Sequence, residues 1–202
     1  MLSEKIIYIG VLINLICSIW YIRDIFYSST RPNLVSFFIW TIAPFVGVFL
    51  QLKAGAGLSV LGTFMAGFFP LLVIIFSIIK GNAFWKLTKF DFICGVFSIL
   101  ALIIYVITNK LGISILFAIL SDGLASVPTI IKSFKYPESE TPAIYLGGII
   151  NNTLALLIIR NWIFSIYAFS IYFIVVNIII VFSIYYKKML RLLNLGNKQI
   201  SI

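Results

Sequence analysis

Charge divides this chain into seven long apolar runs, at about 6–23, 34–52, 57–79, 90–108, 112–134, 141–159 and 162–186, and the short stretches between them hold most of the ionisable residues. A helix needs roughly 20 mostly apolar residues to cross a hydrocarbon core of about 30 Å. Backbone in lipid must satisfy its own hydrogen bonds, so the pattern predicts an all-α, polytopic membrane protein of seven transmembrane helices. With 62% hydrophobic and 10% charged residues among 202, and a mean hydropathy of +1.14, the runs leave no room for a soluble domain. The first run outlasts the apolar part of a signal peptide and ends in Trp20-Tyr21-Ile22-Arg23-Asp24 without a small-residue cleavage pattern, so it reads as a retained helix.

The net charge of +9 is distributed by topology, which argues against nucleic acid as a partner. Of the 15 Lys and Arg residues, four (Lys5, Lys53, Lys110 and Arg160) fall on the side of the N-terminus and 11 on the opposite side. Positive residues favour the cytoplasmic side, which predicts a cell-membrane protein with its N-terminus outside and its C-terminus in the cytoplasm. The stretch 189–202, with Arg191 and Lys198, reads as a short basic cytoplasmic tail beside anionic lipid.

Several chemistries lack their residues. There is no histidine, which removes the commonest general base and transition-metal ligand. Cys17 and Cys94 lie inside apolar runs, and the six acidic residues are too scattered for a metal cluster. One central aspartate without a partner acid or a histidine is short of an intramembrane protease. The expectation is a non-enzyme with no cofactor and no metal.

A weak internal repeat appears at a shift of 105 residues. It lays Ile25-Phe26, Arg31-Pro32, Ser36 and Trp40 onto Ile130-Ile131, Tyr136-Pro137, Thr141 and Tyr145. The same shift carries helices 1–3 onto helices 5–7. A three-helix unit reverses direction when copied directly, so one linking helix is needed between copies. The predicted organisation is a first three-helix repeat over 1–80, a linker helix within 81–110, a second three-helix repeat over 111–188 and the tail.

This 3+1+3 count, the outside N-terminus, and Pro128-Thr129 followed by Lys132 and Pro137 resemble the PQ-loop superfamily, which includes the SWEET and SemiSWEET sugar transporters. The resemblance implies prolines that act as hinges for alternating access, and a solute held by an Asn of the third helix and a Trp of the second, here Asn177 and Trp40. It covers the whole chain in architecture but only two short stretches in motif. The second repeat has Pro-Thr where the family has Pro-Gln, and the first has Arg23-Asp24 at the matching positions. Pro44 and Pro142 are further hinge candidates beside Pro128 and Thr129, and sugar specificity is not inherited.

An ionisable residue in mid-span costs roughly 2.5–3.5 kcal/mol on insertion scales and usually faces the bundle interior. Asp122 is the one such residue, and Ser126, Thr129 and Ser133 follow it at helical spacing on the same face. Asn14 in helix 1, Trp40 in helix 2, Asn152 in helix 6 and Asn177 in helix 7 lie on comparable stripes, which makes Asp122, Trp40, Asn177, Asn152, Asn14 and Ser126 the substrate-path candidates. Small and hydroxyl residues are also the ordinary glue of helix packing. Packing is the stronger reading for Ser126, Gly47 and the Gly147-Gly148 pair, the asparagines are balanced, and function is the stronger reading for Asp122, which in that role binds a proton or pairs with a cation. Glu138 and Glu140, with Lys132 and Lys135, read as a mixed-charge loop.

The sequence therefore favours a small-solute transporter of alternating-access type, embedded in the lipid bilayer, with sugars among the candidate solutes. The alternative is a non-transporting receptor or assembly scaffold of the same fold. Two repeats in one chain suffice for a monomer, and nothing in the sequence forbids an oligomer.

Overall fold

The computed structural model describes residues 3–81, 84–107 and 110–199, and for residues 98, 101–102, 105–106 and 187–199 it describes the helical backbone alone. Seven α-helices run through these residues: α1 (Ile7–Phe26), α2 (Leu34–Lys53), α3 (Val60–Lys80), α4 (Lys89–Ile107), α5 (Leu111–Lys135), α6 (Ala143–Leu157) and α7 (Phe164–Gln199). Short 3-10 turns precede α1 at Glu4–Ile6 and α6 at Pro137–Ser139. The described residues contain no strand. Five of the helices are long and apolar enough to cross a membrane by length and composition, so the chain is an integral membrane protein.

Two elements depart from the expected lengths. Helix α6 has 15 residues rather than the span expected over 141–159, which at 1.5 Å per residue is about 22 Å. Pro142 occupies its N-cap, where the missing N–H removes no helix bond, so the regular helix begins at the next residue. Helix α7 has 36 residues and is about 54 Å long. It carries the expected tail as helix to Gln199, because Lys188-Met189-Leu190-Arg191-Leu192-Leu193 are good helix formers with no proline among them. Residues 200–202 of the tail, and Asn109 of the connection before α5, lie outside the described residues.

The helix starts are tied to one another. Asn33 caps α2 by accepting from the Val35 and Ser36 amides, and its Nδ2 donates to Asp91 Oδ1 at 2.9 Å. Asp91 in turn accepts from Thr88 Oγ1 at 2.8 Å while its own amide donates back to Thr88 Oγ1, a reciprocal cap that opens α4. Gly81, with φ +80°, ends α3 in the left-handed region that favours glycine.

Helix α3 packs on both α1 and α2, and α7 packs on both α5 and α6. Across the bundle α1 lies along α6 and α2 lies along α5, while α4 packs on α5 and, less extensively, on α2. Polarity is inverted relative to a soluble bundle. Asn14, Gln51, Thr63, Asp122 and Asn152 are buried, whereas Ile9, Leu12, Ile16, Phe92, Phe97 and Ile103 face outward. With lipid as the solvent this costs nothing outside; inside, Gln51 donates to the Ile166 carbonyl, Asn152 donates to the Gly148 carbonyl and Asp122 accepts from Tyr172, while one side-chain oxygen of each of the five has no partner among the described residues.

Close approach of α1 to α6 depends on glycine. A Cβ on Gly147 would stand 2.8 Å from Cys17 Cβ and 3.1 Å from Asn14 Cα, and one on Gly10 would stand 3.1 Å from Asn151 Cα. Backbone on the far side cannot yield as a side-chain tip does. Gly147→Ala is therefore expected to destabilise the protein by about 1–3 kcal/mol, read as a lower unfolding midpoint in detergent. Gly112→Ala, whose Cβ meets nothing nearer than Phe164 at 4.0 Å, should leave the midpoint little changed.

Candidate functional site

A cavity of about 60 Å³ lies at the centre of the bundle, and Asn14, Trp40, Asp122, Tyr145, Asn152 and Asn177 line it with apolar neighbours such as Phe69 and Phe173. At roughly 30 Å³ per water it has room for about two water molecules. Its wall draws on α1, α2, α3, α5, α6 and α7, so no short segment could form it alone. Pro70 of α3 also lines it, one turn beyond Ala66, whose carbonyl loses its usual helix donor to that proline.

The aromatic side of the wall is a chain of ring contacts. Phe37 and Trp40 meet edge to face at 5.1 Å between centroids, and Trp40 meets Tyr145 at 6.4 Å. Trp40 Nε1 donates to the Asp122 carbonyl at 3.3 Å, which links α2 to α5 at the level of the acid. The Asp122 side chain is 1% exposed, and its Oδ2 accepts from Tyr172 Oη at 2.7 Å while Oδ1 has no donor among the described residues.

Beyond the cavity, at the end where α1, α3 and α5 finish, the bundle is closed by a polar cluster. Lys132 of α5 forms an ion pair with Glu140, and both side chains are almost wholly buried. Glu140 Oε1 accepts from Tyr21 of α1 at 2.6 Å and from Tyr145 of α6 at 2.9 Å, and Lys132 Nζ also donates to the Arg31 carbonyl at 2.6 Å. Trp85 covers the ammonium, its ring centre 5.7 Å from Nζ. Beside the cluster Thr141 Oγ1 donates to Asp24 Oδ2 at 2.8 Å and lies against Thr30, while Thr129 Oγ1 donates to Ser36 Oγ at 3.0 Å. At the opposite end the closure is lighter. Arg160 pairs with Glu4 at 2.6 Å near the surface, and Gln51 Nε2 donates to the Ile166 carbonyl at 2.9 Å.

Five of the six substrate-path candidates thus meet in one place: Asp122, Trp40, Asn177, Asn152 and Asn14. Ser126 is buried but is absent from the cavity wall, and its hydroxyl donates to the Gly123 carbonyl within α5. Its i−3 carbonyl is within easy reach, so the helix takes up the hydroxyl. Among the hinge candidates, Pro44 and Pro128 lie inside the continuous helices α2 and α5, where each removes one backbone donor, Pro142 occupies the N-cap of α6, and Thr129 ties α5 to α2.

The reading of Lys132 and Glu140 as part of a mixed-charge loop is corrected. Glu138 remains exposed, but Glu140 turns inward because the Pro137–Ser139 turn folds back over the end of α5. The sequence signal was a lysine one turn after Pro128 with an acid eight residues on. Tyr172 carried no local signal, since it meets Asp122 from α7, fifty residues away.

Breaking a buried ion pair at one partner leaves an uncompensated charge and costs about 3–5 kcal/mol. Glu140→Gln and Lys132→Met should each lower the unfolding free energy by that much, read as a lower unfolding midpoint in detergent, and the Lys132→Met, Glu140→Leu double variant should recover a large part of the loss in a double-mutant cycle. Compared with known proteins, the chain matches no family model, no curated protein and no solved structure.

Proposed function

We propose that the protein is a small-solute transporter working by alternating access, with two three-helix repeats that rock about the central cavity. The observation that carries this is the cavity itself: five polar or aromatic residues from five helices converge at mid-bundle, walled from one end by a buried ion-pair cluster and from the other by a lighter set of contacts. Tyr145 belongs to both cavity and cluster, so a solute pressing on its ring acts on the hydrogen bond to Glu140.

Two hydrogen bonds support the repeat reading. Under the 105-residue shift Asp24 corresponds to Thr129 and Thr141 to Ser36, so the bonds Thr141 to Asp24 and Thr129 to Ser36 join corresponding positions, although the donor is on the second helix in one and on the first in the other. Exchanging α1, α2 and α3 for α5, α6 and α7 also carries the α1 with α6 pairing onto α5 with α2, leaving α4 as the linker. This arrangement favours a divergent relative of the PQ-loop, SWEET-like proteins. The volume of about 60 Å³ suits a closed state, in which a sugar would need the repeats to part.

The proposed setting is the cell membrane, with the N-terminus outside and the ion-pair cluster toward the cytoplasm. Labelling of single cysteines in intact cells tests it: Ser3→Cys should react with an impermeant maleimide from outside, and Glu138→Cys should react after permeabilisation alone. The reverse pattern inverts the topology.

Uptake of sugars and small polar metabolites into liposomes tests transport. A Thr30→Cys, Thr141→Cys pair, made with Cys17 and Cys94 replaced by serine, should halt uptake when oxidised and restore it on reduction, because the disulfide pins the closed end. Folded protein that takes up nothing, in any redox state, favours the receptor or scaffold reading.

A further inference from the structure

A second cavity, of about 410 Å³, opens on the flank of the bundle between the end of α5 and the start of α4. Lys135, Tyr136 and Trp85 stand at its mouth, and Ile131, Pro128 and Phe90 form its apolar wall. Lys135, Ile131 and Pro128 are spaced by four and three residues, one stripe of α5 about 10 Å long that runs from the helix end into the apolar span. The Trp85 and Tyr136 rings lie 5.2 Å apart, and Tyr136, Phe90 and Ile131 are exposed on that flank. The charges inside the wall are already met. Asp91 is buried, with Oδ1 accepting from Asn33 at 2.9 Å and Oδ2 from Thr88 Oγ1 at 2.8 Å, and Lys132 is paired with Glu140. Lys135 is exposed at the mouth, and Lys86 and Lys89 are exposed on the segment that opens α4. Glu138, exposed on the turn after α5, is absent from the wall.

We propose that this cavity seats an anionic phospholipid, its phosphate beside the Lys135 ammonium at the Trp85 and Tyr136 rings and an acyl chain laid over Ile131 and Pro128. The site is separate from the central cavity and holds whether or not the protein moves a solute. Lysines at a membrane surface attract anionic headgroups, and in the proposed topology this mouth meets the cytoplasmic leaflet, where such lipids lie. Trp and Tyr rings settle at headgroup level, one end in hydrocarbon and the other in water. The apolar stripe below the mouth suits a chain that begins at the phosphate, whereas a soluble anion would leave it unused. A zwitterionic lipid would bring its own cation toward Lys86, Lys89 and Lys135. Trp85 also covers the Lys132 ammonium, so a headgroup packed on that ring touches the closed end of the bundle.

The test titrates the purified protein in a neutral detergent with dioctanoyl phosphatidylglycerol and follows the unfolding midpoint, each variant read against its own lipid-free value. Dioctanoyl phosphatidylcholine is the zwitterionic control and inorganic phosphate the soluble one. Phosphatidylglycerol should raise the midpoint saturably, with the two controls giving little. Lys135→Gln should weaken its apparent affinity about tenfold, or 1.4 kcal/mol, and Ile131→Trp, which fills the apolar stripe without altering charge, should weaken it as well. Lys80→Gln removes a lysine exposed at the end of α3 and absent from the wall, and should leave the affinity unchanged. No response to phosphatidylglycerol, or an equal one to phosphatidylcholine, overturns the proposal. An equal response to inorganic phosphate, with Ile131→Trp indifferent, replaces the lipid with a soluble anion. Equal losses in Lys135→Gln and Lys80→Gln reduce the site to diffuse surface charge and overturn it too.

Discussion

Glu140 stands between the two halves of the bundle with both carboxylate oxygens occupied, one by the Lys132 ammonium and the other by the Tyr21 and Tyr145 hydroxyls. A charge in that position is tolerable only when fully paired, because taking an ion from water costs several kcal/mol that its partners must offset. The requirement brings α1, α5 and α6 to one point and draws the α1–α2 connection over it through the Arg31 carbonyl. Closure of that end, and the height at which the cavity begins beneath Tyr145, follow from satisfying one carboxylate.

The same logic extends along the bundle axis with neutral groups. In lipid the outward surface offers no hydrogen bonds, so polar side chains gather inside, where Gly10, Gly62 and Gly147 let helix backbones come close enough for side chains such as Asn151 to reach the neighbouring helix. Near Asp122 the matching is incomplete: Oδ1 of Asp122, of Asn14 and of Asn152 has no donor among the described residues. An unmet buried acceptor is costly as pure structure.

At a shift of 105 residues few positions match, and lipid-facing positions, which accept almost any apolar residue, carry little of such a signal. The positions that do match lie where packing is specific: Trp40 and Tyr145, which touch, and Ser36 and Thr141, which bond to Thr129 and Asp24. For Ser126, where packing is the stronger reading of the sequence, the hydroxyl bonds its own helix; helical spacing reports a shared face over one or two turns and says nothing of a hydroxyl's choice between a ligand and its own backbone. Glu140 misled, since charge near a helix end usually means water.

The sequence by itself determined the solvent, the number of helices and their approximate ends, because the hydrophobic requirement of a span is local and additive along the chain. It also singled out Asp122, since an acid in mid-span is conspicuous without neighbours. The tertiary structure alone decided which polar residues share the cavity, that Lys132 and Glu140 are buried together, and that Tyr172 holds one oxygen of Asp122 while the other is left without a donor. Those outcomes depend on crossings between helices distant in the chain, and pairing across such distances is set by packing geometry that no local pattern encodes.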